Sequence, residues 1–172
     1  DSRALINDLE VLGVERGESV GISQTSFSGA TLADNLLDAL AIYADIVLRP
    51  QLPADQLDAA KMVCLQEIHG VEDEPSQKLM DELRRRTYAD PWGRTSHGDE
   101  AGVEASTAHD VTSQWLANYR PNGAILGVAG KIDWDLLVEL VESQFGAWKP
   151  VDATKPAEQK SKASSPHTDF EG

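Results

Sequence analysis

The sequence is poor in basic residues and in cysteine. Its 172 residues carry 15 Lys and Arg against 29 Asp and Glu, which gives a formal net charge of −14. A chain with this balance lacks the basic surface on which nucleic-acid binding depends. Cys64 is the one cysteine, so neither an internal disulfide nor a Cys-rich zinc site can form. These two deficits exclude a nucleic-acid binder, a disulfide-stapled scaffold and a zinc finger.

Long hydrophobic runs are also missing. The richest run covers residues 39–44 and ends at Asp45, whereas a membrane helix needs about 18 consecutive apolar residues. We therefore predict no membrane span. The hydrophobic content of 41% is sufficient for the core of one ordinary domain. Nothing in the sequence indicates a cellular compartment.

Several catalytic and ligand-binding motifs are absent as well. Gly130-Lys131 is followed by Ile132, so there is no phosphate-binding Walker loop, and no Gly-x-Ser-x-Gly elbow occurs. No two histidines stand three or four positions apart, the spacing that places both on one face of a helix. They are His69, His97, His109 and His167. A complete local metal site is therefore not predicted.

Apolar periodicity and turn residues predict an α+β fold. The predicted elements, in order, are a helix ending at Gly13, two short strands within 14–31, helices over 32–47, about 54–72, about 76–88 and after a Thr107-x-x-Asp110 cap, a buried-type strand at 124–129, and a last helix capped by Asp133. The strands do not alternate with helices as in a doubly wound sheet. We therefore predict two layers, an antiparallel-rich sheet with helices packed on one face.

Composition also predicts where the domain ends. Residues 1–148 are expected to be structured, and residues 149–172 to be a linker toward a further domain because they contain three prolines and few large apolar residues. The chain starts at Asp1 without an initiator Met or a targeting signature. We expect it to be part of something longer.

Glu67 is the residue that carries the best candidate for chemistry. The helix of about 54–72 should bury one apolar stripe, and Glu67 falls roughly 80° from Leu57, at the margin of that stripe. The stripe consists of Leu57, Ala60, Cys64, Ile68 and Val71, so Cys64 is expected in the core. A carboxylate at this margin is either a boundary residue that reaches water or a group for metal binding or proton transfer.

A series of motifs in order resembles one family of peptidases. They are Leu9-Glu10-x-Leu12-Gly13, Leu48-Arg49-Pro50, Val63-x-x-x-Glu67-Ile68 followed by Glu72-Asp73-Glu74-Pro75, Pro91-Trp92-Gly93-Arg94, Asn118-Tyr119-Arg120-Pro121-Asn122, Val128-Ala129-Gly130-Lys131-Ile132-Asp133 and Phe145-Gly146-x-Trp148. Together they resemble the pitrilysin or insulinase-like zinc peptidases, a group that includes the mitochondrial processing peptidases.

The resemblance implies a role for Glu67. In that family two histidines of a His-x-x-Glu-His helix and a later glutamate hold zinc, and the Glu of the motif acts as general base. Glu67 matches the later glutamate and is predicted to be the third ligand. The His-x-x-Glu-His segment is absent and would lie before Asp1, so this fragment should contain no catalytic residue and should not bind zinc alone. Thr25 and Phe27 resemble part of the strand that binds substrate.

Two functions stay open at this point. In the first, the chain is part of a zinc endopeptidase that hydrolyses peptides within an enclosed chamber, facing a second pitrilysin-like half or subunit. In the second, it is a non-catalytic, structural or peptide-binding half of the same family, because Ala60 replaces a glutamate that active members commonly carry seven residues before the ligand. In either case the partners are a peptide or protein and a second half, and the isolated fragment is expected to self-associate through an exposed sheet edge.

Overall fold

In a computed structural model, which describes residues 2–150, the chain is mostly helical. The elements are α1 (Ser2–Val11), β1 (Glu15–Val20), β2 (Thr25–Ala30), α2 (Leu36–Leu48), α3 (Leu57–Glu72), α4 (Pro75–Thr87), α5 (Glu100–Ala105), α6 (Ala108–Asn118) and α7 (Trp134–Phe145). Short 3₁₀ turns precede α2 and α3. Within this described part, every helix is too short or too polar to span a lipid bilayer.

The sheet contains two strands in the described part of the chain. β1 and β2 are hydrogen-bonded neighbours joined by a short loop, and they form an antiparallel pair. The two strands predicted within residues 14–31 are therefore confirmed. The predicted mixture of helix and antiparallel sheet is present, with far more helix than sheet.

Helix ends lie where local residues predict them. Gly13 has φ +65°, and its N–H donates to the carbonyl of Glu10 while the N–H of Val14 donates to the carbonyl of Leu9. This pair of bonds is a Schellman motif, for which glycine is suited because it lacks a Cβ. The predicted C-cap of α1 is thus confirmed.

Two predicted N-caps are also confirmed. The Thr107 hydroxyl donates to Asp110 at 2.6 Å, and the backbone N–H of Asp110 donates back to the Thr107 oxygen at 3.2 Å. Asp133 accepts from the N–H of Leu136 at 3.2 Å. Both arrangements satisfy N–H groups that the first turn of a helix leaves without partners.

The described residues divide into two compact units. The first contains residues 2–19, 25–52 and 111–150, and the second contains residues 20–24 and 53–110. In the first unit α2 packs against α1 and α7. All buried hydrophobic side chains of the described part lie here. They are Leu9, Ala39, Leu40, Ala44 and Leu137.

Polar contacts complete the packing of the first unit. Trp115 on α6 donates from Nε1 to the carbonyl of Val47 at 3.1 Å. The Tyr43 hydroxyl on α2 donates to the carbonyl of Ser28 on β2 at 2.7 Å. A Cβ at Gly29 would come within 2.8 Å of that hydroxyl, so glycine allows the close approach of helix and strand. Burial raises the pKa of Tyr43.

In the second unit α3 packs against α4 and α5. Lys61 on α3 donates to the carbonyl of Glu104 on α5 at 2.8 Å. The half-buried residues of α4 are polar, namely Gln77, Asp81 and Glu82. Its large apolar side chains are exposed instead, with Leu79 at 67%. This unit therefore has little apolar core within the described residues.

The strand predicted as buried at 124–129 is wrong: these residues form neither helix nor strand, and Ile125 is 95% exposed. An apolar run forms a buried strand only where neighbours cover it, and among residues 124–129 only Val128 is even half-buried by the described part of the chain. α5 was not predicted; Asp99, which accepts from the N–H of Gly102 at 2.8 Å, was a cap signal for it. The predicted linker lies almost wholly outside the described residues.

Candidate functional site

Glu67 lies on a helix, as predicted. It stands in the last third of α3 (Leu57–Glu72), and its side chain is exposed. Its carboxylate forms no hydrogen bond or ion pair with any other residue of the described part. The group is therefore free to accept a ligand from outside the described chain.

The packed face of α3 differs from the predicted stripe. The half-buried positions are Leu57, Lys61, Leu65, Ile68 and Val71. Ala60 and Cys64 are exposed, so the expectation that Cys64 is a core residue is wrong. α4 and α5 contact α3 on a face that is rotated from the predicted apolar stripe by about half of the roughly 100° between consecutive residues. Periodicity shows which side chains are apolar, but it does not show on which side a neighbouring helix packs. Glu67 is thereby farther from the packed face than predicted.

The residues next to Glu67 on the surface of α3 are apolar or small. Val63 and Cys64 stand one turn before it, and both are exposed, Val63 at 56%. Gly70 stands one turn after it and has no heavy atom within 4 Å of the position a Cβ would take. Residues three or four apart are neighbours on a helix surface. Glu67 thus lies on an open apolar surface that no described residue covers.

Acidic residues follow Glu67 at the end of α3. Glu72 pairs with Lys78 of α4, and both side chains are mostly exposed. Asp73 and Glu74 lie in the short connection before Pro75. Exposed pairs of this kind contribute little to stability.

The described residues do not provide a zinc site by themselves. No group of three or more His, Cys, Asp or Glu side chains in the described part is arranged to hold a metal ion. Protein zinc sites need three or four ligands, and Glu67 supplies one. A complete set of zinc ligands therefore needs at least one residue from outside 2–150.

The two predicted substrate residues lie on β2, in the first unit. Thr25 is exposed at the start of the strand, and Phe27 is half-buried. Each strand of a two-stranded sheet has one unpaired edge, and such an edge can accept an extended peptide. Glu67 belongs to the second unit. A role for Thr25 and Phe27 in substrate binding stays a prediction.

The histidines do not cluster. His69 Nε2 is 3.6 Å from a Glu100 carboxylate oxygen, on the exposed surface between α3 and α5. His97 is exposed in the loop before α5, and His109 is exposed in the first turn of α6. His167 lies outside the described residues. No pair of histidines for a metal is therefore formed in the described part.

Glu82, Arg85 and Arg86 form a charge cluster on α4 that was not predicted. Glu82 on α4 accepts from Arg85 Nε at 2.9 Å and from Arg86 Nε at 2.6 Å. Both hydrogen bonds lower the pKa of Glu82, and the one from Arg86 has the larger effect. The spacing of three and four residues on a predicted helix was the signal that could have revealed the pair.

Residues 1–100 match a family model, and most of the chain resembles known proteins. The model for "Insulinase (Peptidase family M16)" matches residues 1–100, which is more than half of the chain. The match includes α3 and therefore Glu67.

Curated relatives include proteases of bacteria and eukaryotes. An "uncharacterized zinc protease" of Mycobacterium tuberculosis is 29% identical over 140 residues, covering 81% of this chain and 32% of the relative. The "Probable mitochondrial-processing peptidase subunit beta" of Schizosaccharomyces pombe is 28% identical over 149 residues, covering 86% of this chain and 33% of the relative. The chain thus spans about a third of the length of these relatives.

Solved structures share the fold. An M16-like peptidase from Alicyclobacillus acidocaldarius superposes with a TM-score of 0.76 at 21% identity, covering 86% of this chain and 35% of the other. A protease from Helicobacter pylori gives a TM-score of 0.74 at 20% identity, covering 88% and 37%. At these identities the similarity shows the fold alone.

Proposed function

Because this chain belongs to the insulinase (M16) family of peptidases, we propose that it forms part of a zinc-dependent endopeptidase in which Glu67 is one of the metal ligands. The observation that carries the proposal is that the Glu67 side chain is exposed and unpaired within the described part of the chain. It lies on α3 within the matched region, exposed and without a partner in the described part of the chain. A carboxylate that is fixed on a helix but not engaged is suited to complete a metal site.

The surroundings of Glu67 support the same role. The apolar surface around it, with Val63 and Cys64, would exclude water if another element covered it. Metal sites are tuned by such a shell, which controls solvent access. In the family resemblance, the remaining ligands and the general base stand on a single helix with the His-x-x-Glu-His sequence, and this surface is where that helix would pack.

The proposal also includes an enclosed chamber in which the peptide is hydrolysed. The relatives are about three times as long as this chain, and one is named as a subunit of a processing peptidase. We infer that a second, similarly folded half or subunit faces this one and encloses the peptide, which would bind along β2 near Thr25 and Phe27.

A chimera tests the role of Glu67. The 140-residue segment of the mycobacterial zinc protease that matches this chain would be replaced by the corresponding residues of this chain. We expect the folded chimera to retain zinc through dialysis and to hydrolyse a peptide, and Glu67→Gln to lose both. Glu72→Gln, at the exposed end of the same helix, is the matched control and should retain both. A Glu67→Gln chimera that keeps its zinc would refute the assignment.

The second candidate, a non-catalytic half, rests on Ala60. This residue lies two turns before Glu67 on the same side of α3 and is exposed, but it has no carboxylate where the resemblance expects a glutamate. A folded chimera that does not hydrolyse peptide with Glu67 intact would favour this candidate. Recovery of hydrolysis by Ala60→Glu would show that the missing carboxylate is the cause.

A further inference from the structure

Tyr43 of α2 meets β2 through two contacts. Its hydroxyl donates to the carbonyl of Ser28 at 2.7 Å. Its ring lies against the backbone at Gly29, where an added Cβ would come within 2.8 Å of the hydroxyl oxygen and within 3.0 and 3.2 Å of two ring carbons. A hydrogen bond constrains direction, and the close approach constrains distance. Together the two contacts fix this part of β2 against α2.

The influence of this contact extends to β1. Ser28 stands opposite Gly17: the Ser28 hydroxyl donates to the carbonyl of Gly17 at 3.1 Å, and a Cβ at Gly17 would lie 3.0 Å from that hydroxyl oxygen. Burial raises the pKa of Tyr43 most, the charge of Glu18 raises it further, and the charge of Arg16 lowers it. Exposed charges have such an effect only at short range. Tyr43 therefore lies beside both strands of the hairpin.

A separate anchor holds the base of the hairpin. The carbonyl of Leu12, before β1, accepts from the hydroxyl of Thr31 at 2.8 Å and from the side-chain amide of Asn35 at 3.0 Å. Thr31 directly follows β2, and Asn35 directly precedes α2. These bonds therefore tie the two ends of the hairpin to each other and to the start of α2. One point of attachment leaves a ribbon free to pivot, whereas Tyr43 supplies a second point farther along the hairpin and removes that freedom.

A strand that binds a peptide has to be held in place. The peptide binds through main-chain hydrogen bonds, whose geometry is narrow, and its apparent affinity falls with the fraction of molecules in the binding arrangement. Ser28 and Gly29 directly follow Phe27, which is proposed to bind the peptide. We propose that Tyr43 is a positioning residue for the peptide, because through Ser28 and Gly29 it holds the hairpin in the arrangement that binds substrate. This inference rests on the proposed function, in which the peptide binds along β2.

Tyr43→Phe in the chimera tests this role, because it removes the hydroxyl and keeps the ring. Fluorescence anisotropy measures the Kd of fluorescein-labelled casein for the chimera after EDTA has removed its zinc. Hydrolysis of the same casein by the zinc-loaded chimera gives kcat and KM. We expect Kd and KM to rise about 2- to 10-fold, as for the loss of one hydrogen bond. The zinc content and kcat should stay unchanged, because Tyr43 acts on the hairpin and not on the metal site.

Two control variants separate positioning from general effects. Tyr88→Phe makes the same change at an exposed tyrosine of the second unit. Asp133→Ala removes the cap of α7, so it destabilises the first unit without touching the hairpin. Both should leave Kd and KM as they are in the unmodified chimera, and urea unfolding would show that Asp133→Ala is the less stable of the two.

The outcomes distinguish this inference from the proposed function. A chimera that binds casein without hydrolysing it contradicts the proposed peptidase, and the effect of Tyr43→Phe on Kd still decides the role of Tyr43. An unchanged Kd in Tyr43→Phe would overturn the inference. So would a chimera that does not bind casein, or a Tyr43→Phe variant that loses zinc and kcat together with its affinity, because the tyrosine would then support the fold as a whole.

Discussion

At the scale of single residues, the clearest features are capping groups whose partners lie three or four positions away. Thr107 and Asp110 exchange hydrogen bonds at the start of α6, and Asp133 caps α7. Such contacts depend on a few neighbouring residues, so their effects can be predicted one substitution at a time.

The cap at Asp110 makes stability depend on pH. Hydrogen bonds from the Thr107 hydroxyl and backbone N–H lower the pKa of Asp110 below its ordinary 3.8. A carboxyl with a lowered folded-state pKa stabilises the fold above the unfolded value, and this contribution is lost as the pH falls through the folded-state pKa. We expect Thr107→Ala to raise the pKa of Asp110 toward 3.8, as measured by NMR titration. An unchanged titration would mean that the hydrogen bond from the Thr107 hydroxyl is not formed in solution.

The cap at Asp133 is tested by a pair of neighbouring substitutions. Asp133→Ala removes the acceptor for the N–H of Leu136, and we expect it to lower the free energy of unfolding by about 1 kcal/mol. Asp135→Ala, in the same first turn but without that bond, should change it by less. Urea denaturation measures both. Equal effects would indicate that charge in the first turn matters and the cap does not.

At the scale of elements, replacing two glycines of the helices by alanine is expected to change stability in opposite directions. Gly13 ends α1 with a left-handed backbone, at φ +65°, whereas Gly70 lies inside α3 with open space at its Cβ position. Alanine is strained at the first position and favoured at the second. We expect Gly13→Ala to destabilise the protein by about 1 kcal/mol and Gly70→Ala to stabilise it by about 0.4–1 kcal/mol. Thermal and urea unfolding of both variants check the signs, and a stabilising Gly13→Ala would contradict the Schellman motif.

α7 shows how unevenly one helix contributes to packing. Leu137 is 5% exposed in the core of the first unit, and its neighbour Leu136 is 49% exposed. Truncating a buried leucine costs about 2–5 kcal/mol, because transfer and cavity terms add. We expect Leu137→Ala to lose this much in the free energy of unfolding and Leu136→Ala to lose clearly less. Similar losses would place Leu136 in a contact that forms only in solution.

At the scale of the whole molecule, the described part of the chain has few buried hydrophobic residues and many exposed ones. The buried hydrophobic residues of the described part all belong to the first unit. The second unit exposes Leu79, Met80 and Leu83 on α4 and Val63 on α3. Exposed apolar surface on this scale marks sites of interaction. The proposed peptidase accounts for the surface around Glu67.

The chain by itself is expected to bind zinc weakly and to hydrolyse no peptide. One carboxylate cannot supply the set of ligands that tight zinc binding requires. Elemental analysis after dialysis should therefore find far less than one zinc per chain. Stoichiometric zinc would show that residues other than those described form a site with Glu67, and a Glu67→Gln variant would then reveal whether Glu67 takes part.

The amino-acid sequence by itself determined the local features of this protein. The hairpin of β1 and β2, the Schellman end of α1, the caps at Thr107 and Asp133 and the helical setting of Glu67 all depend on residues close together in the chain. The order of the motifs also identified the peptidase family, which the family model confirms. α5 was missed because its six residues form too short a pattern for periodicity.

Tertiary structure alone decided which of these elements are covered. Apolar residues in the sequence predicted that Cys64 and residues 124–129 are buried, yet Cys64 and all of 124–129 except the half-buried Val128 are exposed. α4 likewise exposes Leu79 and Met80 while it half-buries Gln77 and Asp81. Burial is set by which distant elements pack against a face, and an apolar residue is buried only where such an element is present. For the same reason the sequence could nominate Glu67 as a ligand, while a metal site requires several ligands brought together by the fold.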